Sequence, residues 1–330
     1  MGRRNDTKDG NMENVIIIGS GPAGLAAAIY TGRARLAPLL IAGPALGGQV
    51  ALSSEIGNYP GFPEDISGAE LAQRMQQQAE RFNARIEMDI VTDVDLSTRP
   101  FKITAYGGEH ETRALIITSG ASPRKLKVPG EKELSGRGVS YCATCDGFFY
   151  MNKKIVVVGG GDAAVEEAMF LTRYASHVTL IHRRDQLRAS KVMQERAFRH
   201  EKLGFVWDSI VTEIVGDGSV NGVQLLNVKT GEEQLLPTDG VFVAIGHVPN
   251  TKFFEGQMEL LDNGYIVADE GGRTSVEGVW AAGDVCDWTY RQIATSVGAG
   301  VKAAMEVERY IEVLEDQTYP GHIEASLAVG

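Results

Sequence analysis

Two of the chain's three cysteines stand two residues apart in Tyr141-Cys142-Ala143-Thr144-Cys145-Asp146-Gly147-Phe148-Phe149, with a carboxylate directly after the second. A Cys-x-x-Cys pair closes a small disulfide ring. It reopens readily because each thiol lowers the other's pKa and stands ready to attack. Asp146 is placed to hold or release the proton that thiolate chemistry moves. Two other uses compete. Half of a zinc site would need further ligands, but Cys286 is the only other cysteine and no histidine stands near the pair. A purely structural staple gains little, since so short a loop removes little entropy from the unfolded chain. Redox work is the favoured use.

Disulfide exchange needs electrons, and the chain carries two stretches suited to bind a dinucleotide. In the first, the β-branched run Val15-Ile16-Ile17-Ile18 predicts a buried strand, Gly19-Ser20-Gly21-Pro22-Ala23-Gly24 a tight turn, and residues 25–30 a helix of small residues. Glycines there let a pyrophosphate approach the N–H groups at the helix start. The next strand, Pro38-Leu39-Leu40-Ile41, ends in Ala42-Gly43, where an acid to hold a ribose hydroxyl is expected. The second stretch repeats the pattern: strand 154–158, then Gly159-Gly160-Gly161-Asp162-Ala163-Ala164, then helix 165–174. Its next strand, 178–181, runs into His182-Arg183-Arg184, with Arg188 following. Guanidinium groups at that strand end suit a 2′-phosphate, so the cluster argues for NADP over NAD. The competing reading is a solvated basic loop.

The remaining elements must hold these pieces. Residues 67–85 have helical spacing, with Ser67 as cap and Glu70 three residues on. Residues 86–106 and 208–236 read as strands around polar turns, and Ala114-Leu115-Ile116-Ile117 and residues 241–246 as buried strands. Residues 123–138, rich in Pro, Gly and charge, read as a crossing between domains, and Pro249-Asn250 as the return. Val279-Trp280-Ala281-Ala282-Gly283-Asp284 is a strand whose terminal carboxylate faces a ligand crevice, and residues 291–310 form a helix. Cys286 is read as packing.

The chain's 330 residues allow two domains, and a formal net charge of -11 argues against a nucleic-acid footprint. No apolar run is long enough to span a membrane, the first fourteen residues are too polar for a signal peptide, and three cysteines make no secreted disulfide framework. The expected location is cytoplasmic.

In order, the motifs GSGPAG, GGQ, CATCDGFF, GGGDAAVEEA, HRRDQLR, AIGHVPN, AAGDV and RQI closely resemble the low-molecular-weight flavoprotein thioredoxin reductases of bacteria and plants, over about residues 13–312. The resemblance implies an α/β fold of two Rossmann-like domains, an NADPH domain being inserted into a discontinuous FAD domain through linkers near Gly120 and Gly246. The expected division is 1–124 (FAD, with residues 1–14 a flexible arm), 125–249 (NADPH, with the cysteines) and 250–330 (FAD, with a C-terminal tail). By the same resemblance, FAD is held by Gly19, Gly21, Pro22, Gly24, Gly48, Gln49, Asn58, Gly120, Gly283, Asp284, Arg291, Gln292 and Ile293. NADPH is held by Gly159, Gly161, Asp162, Ala164, His182, Arg183, Arg184 and Arg188. Cys145 matches the flavin-side cysteine, Cys142 the one that exchanges with thioredoxin, and Asp146 the acid–base residue. Arg137, Phe148 and Phe149 match the face that receives thioredoxin. The resemblance further implies a homodimer and an inserted domain that rotates between two arrangements. Two departures stand out: the absent acid after the second strand, and a long tail with Tyr319 and His322. An aromatic tail over the flavin would admit another donor, such as ferredoxin. A non-enzymatic redox sensor is a further alternative, but it would not need a complete flavin and dinucleotide set.

Overall fold

A strand with apolar residues on every position has to be covered on both faces. Residues 15–18 meet that condition at the centre of a parallel sheet. The computed structural model describes residues 12–53 and 55–318. In it strand β1 spans Met12–Ile18, three residues more than its apolar run. Residues 12–14, expected in the polar arm, belong to the sheet instead, where Met12 pairs with Glu111 and Glu13 with Thr112. The rest of the arm, residues 1–11, lies outside the described residues, as do Tyr319, His322 and the tail around them.

Helix α1 (Pro22–Arg33) returns from β1 to β2 (Leu39–Ile41), and α2 (Gly68–Arg81) leads to β3 (Arg85–Glu87). The α2 start is capped as expected: Ser67 Oγ accepts from the Glu70 N–H at 3.2 Å. Strands β4 (Val91–Asp95), β5 (Phe101–Ala105) and β6 (Gly108–Ile117) follow as an antiparallel meander, with β6 returning beside β1. The chain then leaves through β7 (Ala121–Pro123).

The inserted stretch opens with β8 (Val139–Ser140) and the short helix α3 (Ala143–Asp146). Then come β9 (Lys154–Gly159), α4 (Asp162–Leu171), β10 (His177–Ile181), α5 (Lys191–Phe198) and β11 (Leu203–Val206). Strands β12 (Ser209–Asp217), β13 (Ser219–Asn227) and β14 (Glu233–Pro237) form an antiparallel sheet, and β15 (Gly240–Ala244) completes a parallel sheet of order β11-β10-β9-β15-β8. Helix α5 has no counterpart in the sequence reading, because only Ala197 along it is buried and its apolar stripe is weak. Phe242 fills the centre of this core with no exposure. Trimming such a side chain to alanine costs about 3–5 kcal/mol.

The chain returns through β16 (His247–Pro249), which pairs with β7. Strand β17 (Val279–Ala281) then adds in parallel to β6, and helix α6 (Ile293–Thr318) packs on α1. That packing is close. A Cβ placed on Gly300 would stand 2.1 Å from the Ala23 carbonyl oxygen. By internal contacts the chain divides into two units, residues up to 122 with those from 249 on, and residues 123–248. The first unit is thus built from both ends of the chain, since β17 and α6 complete the sheet begun by β1. Both units are parallel-stranded α/β folds of the Rossmann kind.

Candidate active site

The redox turn is built at the edge of the second parallel sheet. Strand β8 pairs with β15, Val139 opposite Val241, and ends at the buried Ser140. The Ser140 hydroxyl accepts the Cys142 N–H at 3.1 Å. Cys142 has extended backbone (φ -145°, ψ 104°) and sits at the N-cap of α3. One helical turn later Cys145 is in reach: the two are joined as a disulfide with Cα atoms 5.3 Å apart. The Cys145 N–H points at Cys142 Sγ (3.2 Å), and Thr144 Oγ1 lies 3.4 Å from the same sulfur. These donors favour a thiolate on Cys142 once the disulfide opens.

Asp146 ends α3, its N–H bonded to the Cys142 carbonyl at 3.2 Å. Burial raises its carboxyl above the usual carboxylate range, and the Ser140 hydroxyl pulls it partly back. Tyr150, packed edge-on against Phe242 at 5.1 Å, is pushed up to about 12 by burial and by the Asp146 charge. Tyr150 therefore stays neutral, and Asp146 is the titrating group beside the disulfide. Gly147 packs closely: a Cβ there would lie 3.0 Å from Leu171 Cδ2. Phe148 is 68 % exposed and held edge-on by Phe149 and Tyr174. Arg137 donates to the Glu133 carbonyl within the same unit. The sequence reading missed one brace. Buried Glu131 accepts from Leu126 N (2.9 Å), Lys127 N (2.7 Å) and the Tyr141 hydroxyl (3.0 Å). Tyr141 precedes Cys142, so this carboxylate ties the redox turn to the start of its unit. No local pattern marks such a role, because its partners are brought to it by the fold.

In the first unit the glycine turn has the form a pyrophosphate needs. Gly19 has φ +106°, and a Cβ on Gly24 would stand 1.9 Å from the Gly19 carbonyl oxygen. Only glycine lets α1 approach β1 so closely. A Cβ on Gly21 would instead enter open space, beside which the Gly47-Gly48 turn runs: a Cβ on Gly48 would lie 3.5 Å from Gly21 Cα. A side chain at Gly21 would fill this cradle, so the residues fit a phosphate bridge at the start of α1, where Pro22 occupies the first turn. Gln49 follows Gly48 in the same turn. Asn58 Nδ2 donates to Gln292 Oε1 at 3.3 Å, joining loops 234 residues apart. Gly283 has φ +79°, and Asp284 after it accepts from the Ser296 hydroxyl at 3.0 Å. Burial raises the Asp284 carboxyl, with the Ser296 bond opposing. Arg291, expected inside the last helix, precedes it with φ +48°, and α6 starts at Ile293. Gly120, φ +69°, accepts from the Asn250 N–H at 2.9 Å, where the outgoing and returning strands run side by side.

In the second unit Gly159 is closed by Ala164, whose Cβ is 2.5 Å from where a Gly159 Cβ would stand, while a Cβ on Gly161 would face outward, 4.0 Å from Arg188 Nη2. The turn again leaves room for a phosphate bridge, now beside a guanidinium. Arg183, Arg184 and Arg188 are exposed, and among the described residues no carboxylate pairs with any of them. The donor set thus fits an extra phosphate. His182 is placed apart from these arginines. It is 6 % exposed and lies under Gly160, where a Cβ would stand 2.2 Å from His182 Nδ1. Burial holds its pKa down, and the Arg188 and Arg184 charges add to this. The ring thus lies beneath the loop, against the turn. Asp162 is exposed, and its Oδ1 accepts from the Ser190 N–H at 2.8 Å.

Two dinucleotide folds, one carrying a disulfide followed by a half-buried acid, define a pyridine nucleotide-dependent disulfide oxidoreductase. Residues 13–304 match the family model of the pyridine nucleotide-disulphide oxidoreductases. A thioredoxin reductase of Streptomyces coelicolor is 51% identical over 93% of this chain and 96% of its own length, and one of Rickettsia felis is 52% identical over 90% and 97%. The crystal structure of the Streptococcus pyogenes thioredoxin reductase superposes with a TM-score of 0.88 at 43% identity, covering 92% of this chain and all of that one. The chain belongs to the pyridine nucleotide-disulphide oxidoreductases, and within them to the thioredoxin reductases. FAD and NADPH are its cofactors.

Proposed function

We propose that this enzyme carries electrons from NADPH through FAD and the Cys142–Cys145 disulfide to the disulfide of oxidised thioredoxin. The observation that carries the reading is the joined pair 142–145 with the half-buried Asp146 next to it in the chain. The first unit is the FAD domain, with Gly19, Gly21 and Gly24 at the pyrophosphate and Asp284 at the ribityl chain. The second is the NADPH domain, with the 2′-phosphate on Arg183, Arg184 and Arg188. The bound cofactors supply a hydride and a two-electron reductant. The protein's own residues do the rest. Reduction opens the disulfide, leaving a thiolate at Cys142 that the Cys145 N–H faces. Cys142 attacks one sulfur of the thioredoxin disulfide and forms a mixed disulfide, releasing the other as a thiolate. Cys145 attacks Cys142 Sγ, closing the original ring and releasing reduced thioredoxin. The raised carboxyl of Asp146 keeps a proton available for the leaving thiolate. Arg137 and the exposed Phe148 with Phe149 form the face that receives thioredoxin.

A ferredoxin-type donor is not favoured, since the exposed arginines would then lack a ligand. A homodimer is what the sequence resemblance implies, and a cytoplasmic location is what the composition and cysteine usage suggest. No helix among the described residues is long and apolar enough to cross a membrane. The test is Cys145→Ser. Flavin bleaching by NADPH under anaerobic conditions survives, while thioredoxin turnover falls by about 10³-fold or more, as for loss of a nucleophile acting in a coupled pair. Turnover retained in this variant overturns the mechanism.

A further inference from the structure

Arg188 is exposed, yet the residues on either side of it are not: Leu187 is 6 % and Ala189 5 % exposed. The loop is therefore anchored on both sides of the guanidinium. Part of the anchoring comes from the glycine turn, whose Gly160 carbonyl accepts from Arg188 N (2.7 Å) and Ala189 N (3.1 Å). Asp162 adds the bond to Ser190 N. The rest comes from one side chain of α5. Gln194 Nε2 donates to the Leu187 carbonyl at 3.2 Å and to the Ala189 carbonyl at 2.7 Å. A single amide thus holds the two carbonyls that flank Arg188. The half-buried Gln194 has no other side-chain partner among the described residues.

We infer that Gln194 is a positioning residue for nucleotide choice: it pre-orders the 187–189 backbone so that Arg188 stands beside Gly161 before any ligand arrives. This deepens, and rests on, the reading of the arginine cluster as the 2′-phosphate site. An arginine on a loose loop would have to be ordered at the moment of binding, and that cost would come out of the affinity. A loop held beforehand by Gln194 has already lost that freedom. The effect is confined to ligands that Arg188 touches, and a nucleotide without the 2′-phosphate does not benefit.

The experiment is calorimetric titration of the oxidised, FAD-loaded enzyme with 2′,5′-ADP and, in parallel, with 5′-ADP. Wild type binds 2′,5′-ADP the more tightly. If it shows no preference, the arginine reading itself fails. With that preference present, Gln194→Met weakens 2′,5′-ADP about tenfold and leaves 5′-ADP unchanged. Equal losses for the two ligands, or no loss, overturn the role of Gln194 and leave the arginines standing. Unchanged 5′-ADP binding also shows that the variant is folded. A double-mutant cycle completes the test. In an Arg188→Gln background Gln194→Met has no further effect on 2′,5′-ADP, whereas full additivity overturns the inference.

Discussion

The two glycine turns of this enzyme share one plan and close it differently. In the first, three glycines let helix and strand meet backbone to backbone: a Gly24 Cβ would collide with the Gly19 carbonyl and with Thr118 Oγ1 at 2.6 Å. In the second, Ala164 takes the place of the third glycine, and its methyl packs over Gly159. The strands beyond the two turns differ more. The first unit's strand ends in Ala42-Gly43, with no charge. The second unit's strand runs into a segment with three arginines that have no carboxylate partner among the described residues. The turn is a generic phosphate cradle, and the strand end beside it selects the nucleotide. Each unit also carries one half-buried, raised carboxylate with a serine hydroxyl on it, Ser296 for Asp284 and Ser140 for Asp146, but only Asp146 directly follows a disulfide cysteine.

Substitutions can break this contrast. The largest effect is expected at Gly24→Ala. Backbone cannot move aside as a side-chain tip can, so overpacking there costs on the order of 3 kcal/mol and the protein purifies without FAD, as the flavin-to-protein absorbance ratio will show. Next is the paired change Arg183→Gln with Arg184→Gln. At roughly 1.5–3 kcal/mol per charge-assisted hydrogen bond, KM for NADPH rises about 100-fold while KM for NADH stays the same. A comparable rise for NADH would mean that the cluster serves the fold and not the phosphate.

Asp146→Asn separates chemistry from stability. Thioredoxin turnover falls about 100-fold or more, as expected for loss of a general acid. Stability moves the other way. The folded-state pKa of Asp146 is raised, so the folded protein holds this proton more tightly than the unfolded chain. The native state is favoured by this group below the ordinary aspartate pKa, and the advantage is lost as pH rises through the raised value. Asparagine carries no such pH-dependent loss. The variant should melt higher than wild type at pH 7, and the gap should close on acidification through the carboxylate range. A gap that widens in acid would contradict the buried-carboxyl reading. The smallest effect is Ala164→Gly, which imitates the first turn in the second. It costs about 1 kcal/mol from helix entropy and lost packing, read as a slight fall in melting temperature with nucleotide binding intact.

Much of the site was legible because its chemistry is local. Cysteines two residues apart can readily meet each other, and a glycine turn between a β-branched strand and a small-residue helix announces its own geometry. The basic strand end is equally local. What a local stretch could not show was what packs on what. His182 adjoins Arg183 in the chain and yet lies under Gly160, because side chains alternate in direction at a strand end. The helix 191–198 escaped notice since its stripe is weak, and with it went Gln194. Residues 12–14 carry no apolar run, but ladder pairing of Met12 and Glu13 with β6 draws them into the sheet.

The sequence by itself determined the class of chemistry and the two nucleotide turns, since each follows from residues close together along the chain. Only the tertiary structure decided which distant groups serve them. It set Ser296 on Asp284, Asn58 against Gln292, Glu131 behind the redox turn and Gln194 behind Arg188. Side-chain hydrogen bonds of this kind depend on distances of about 3 Å, and those are set by how sheets and helices pack, which no short stretch of sequence records.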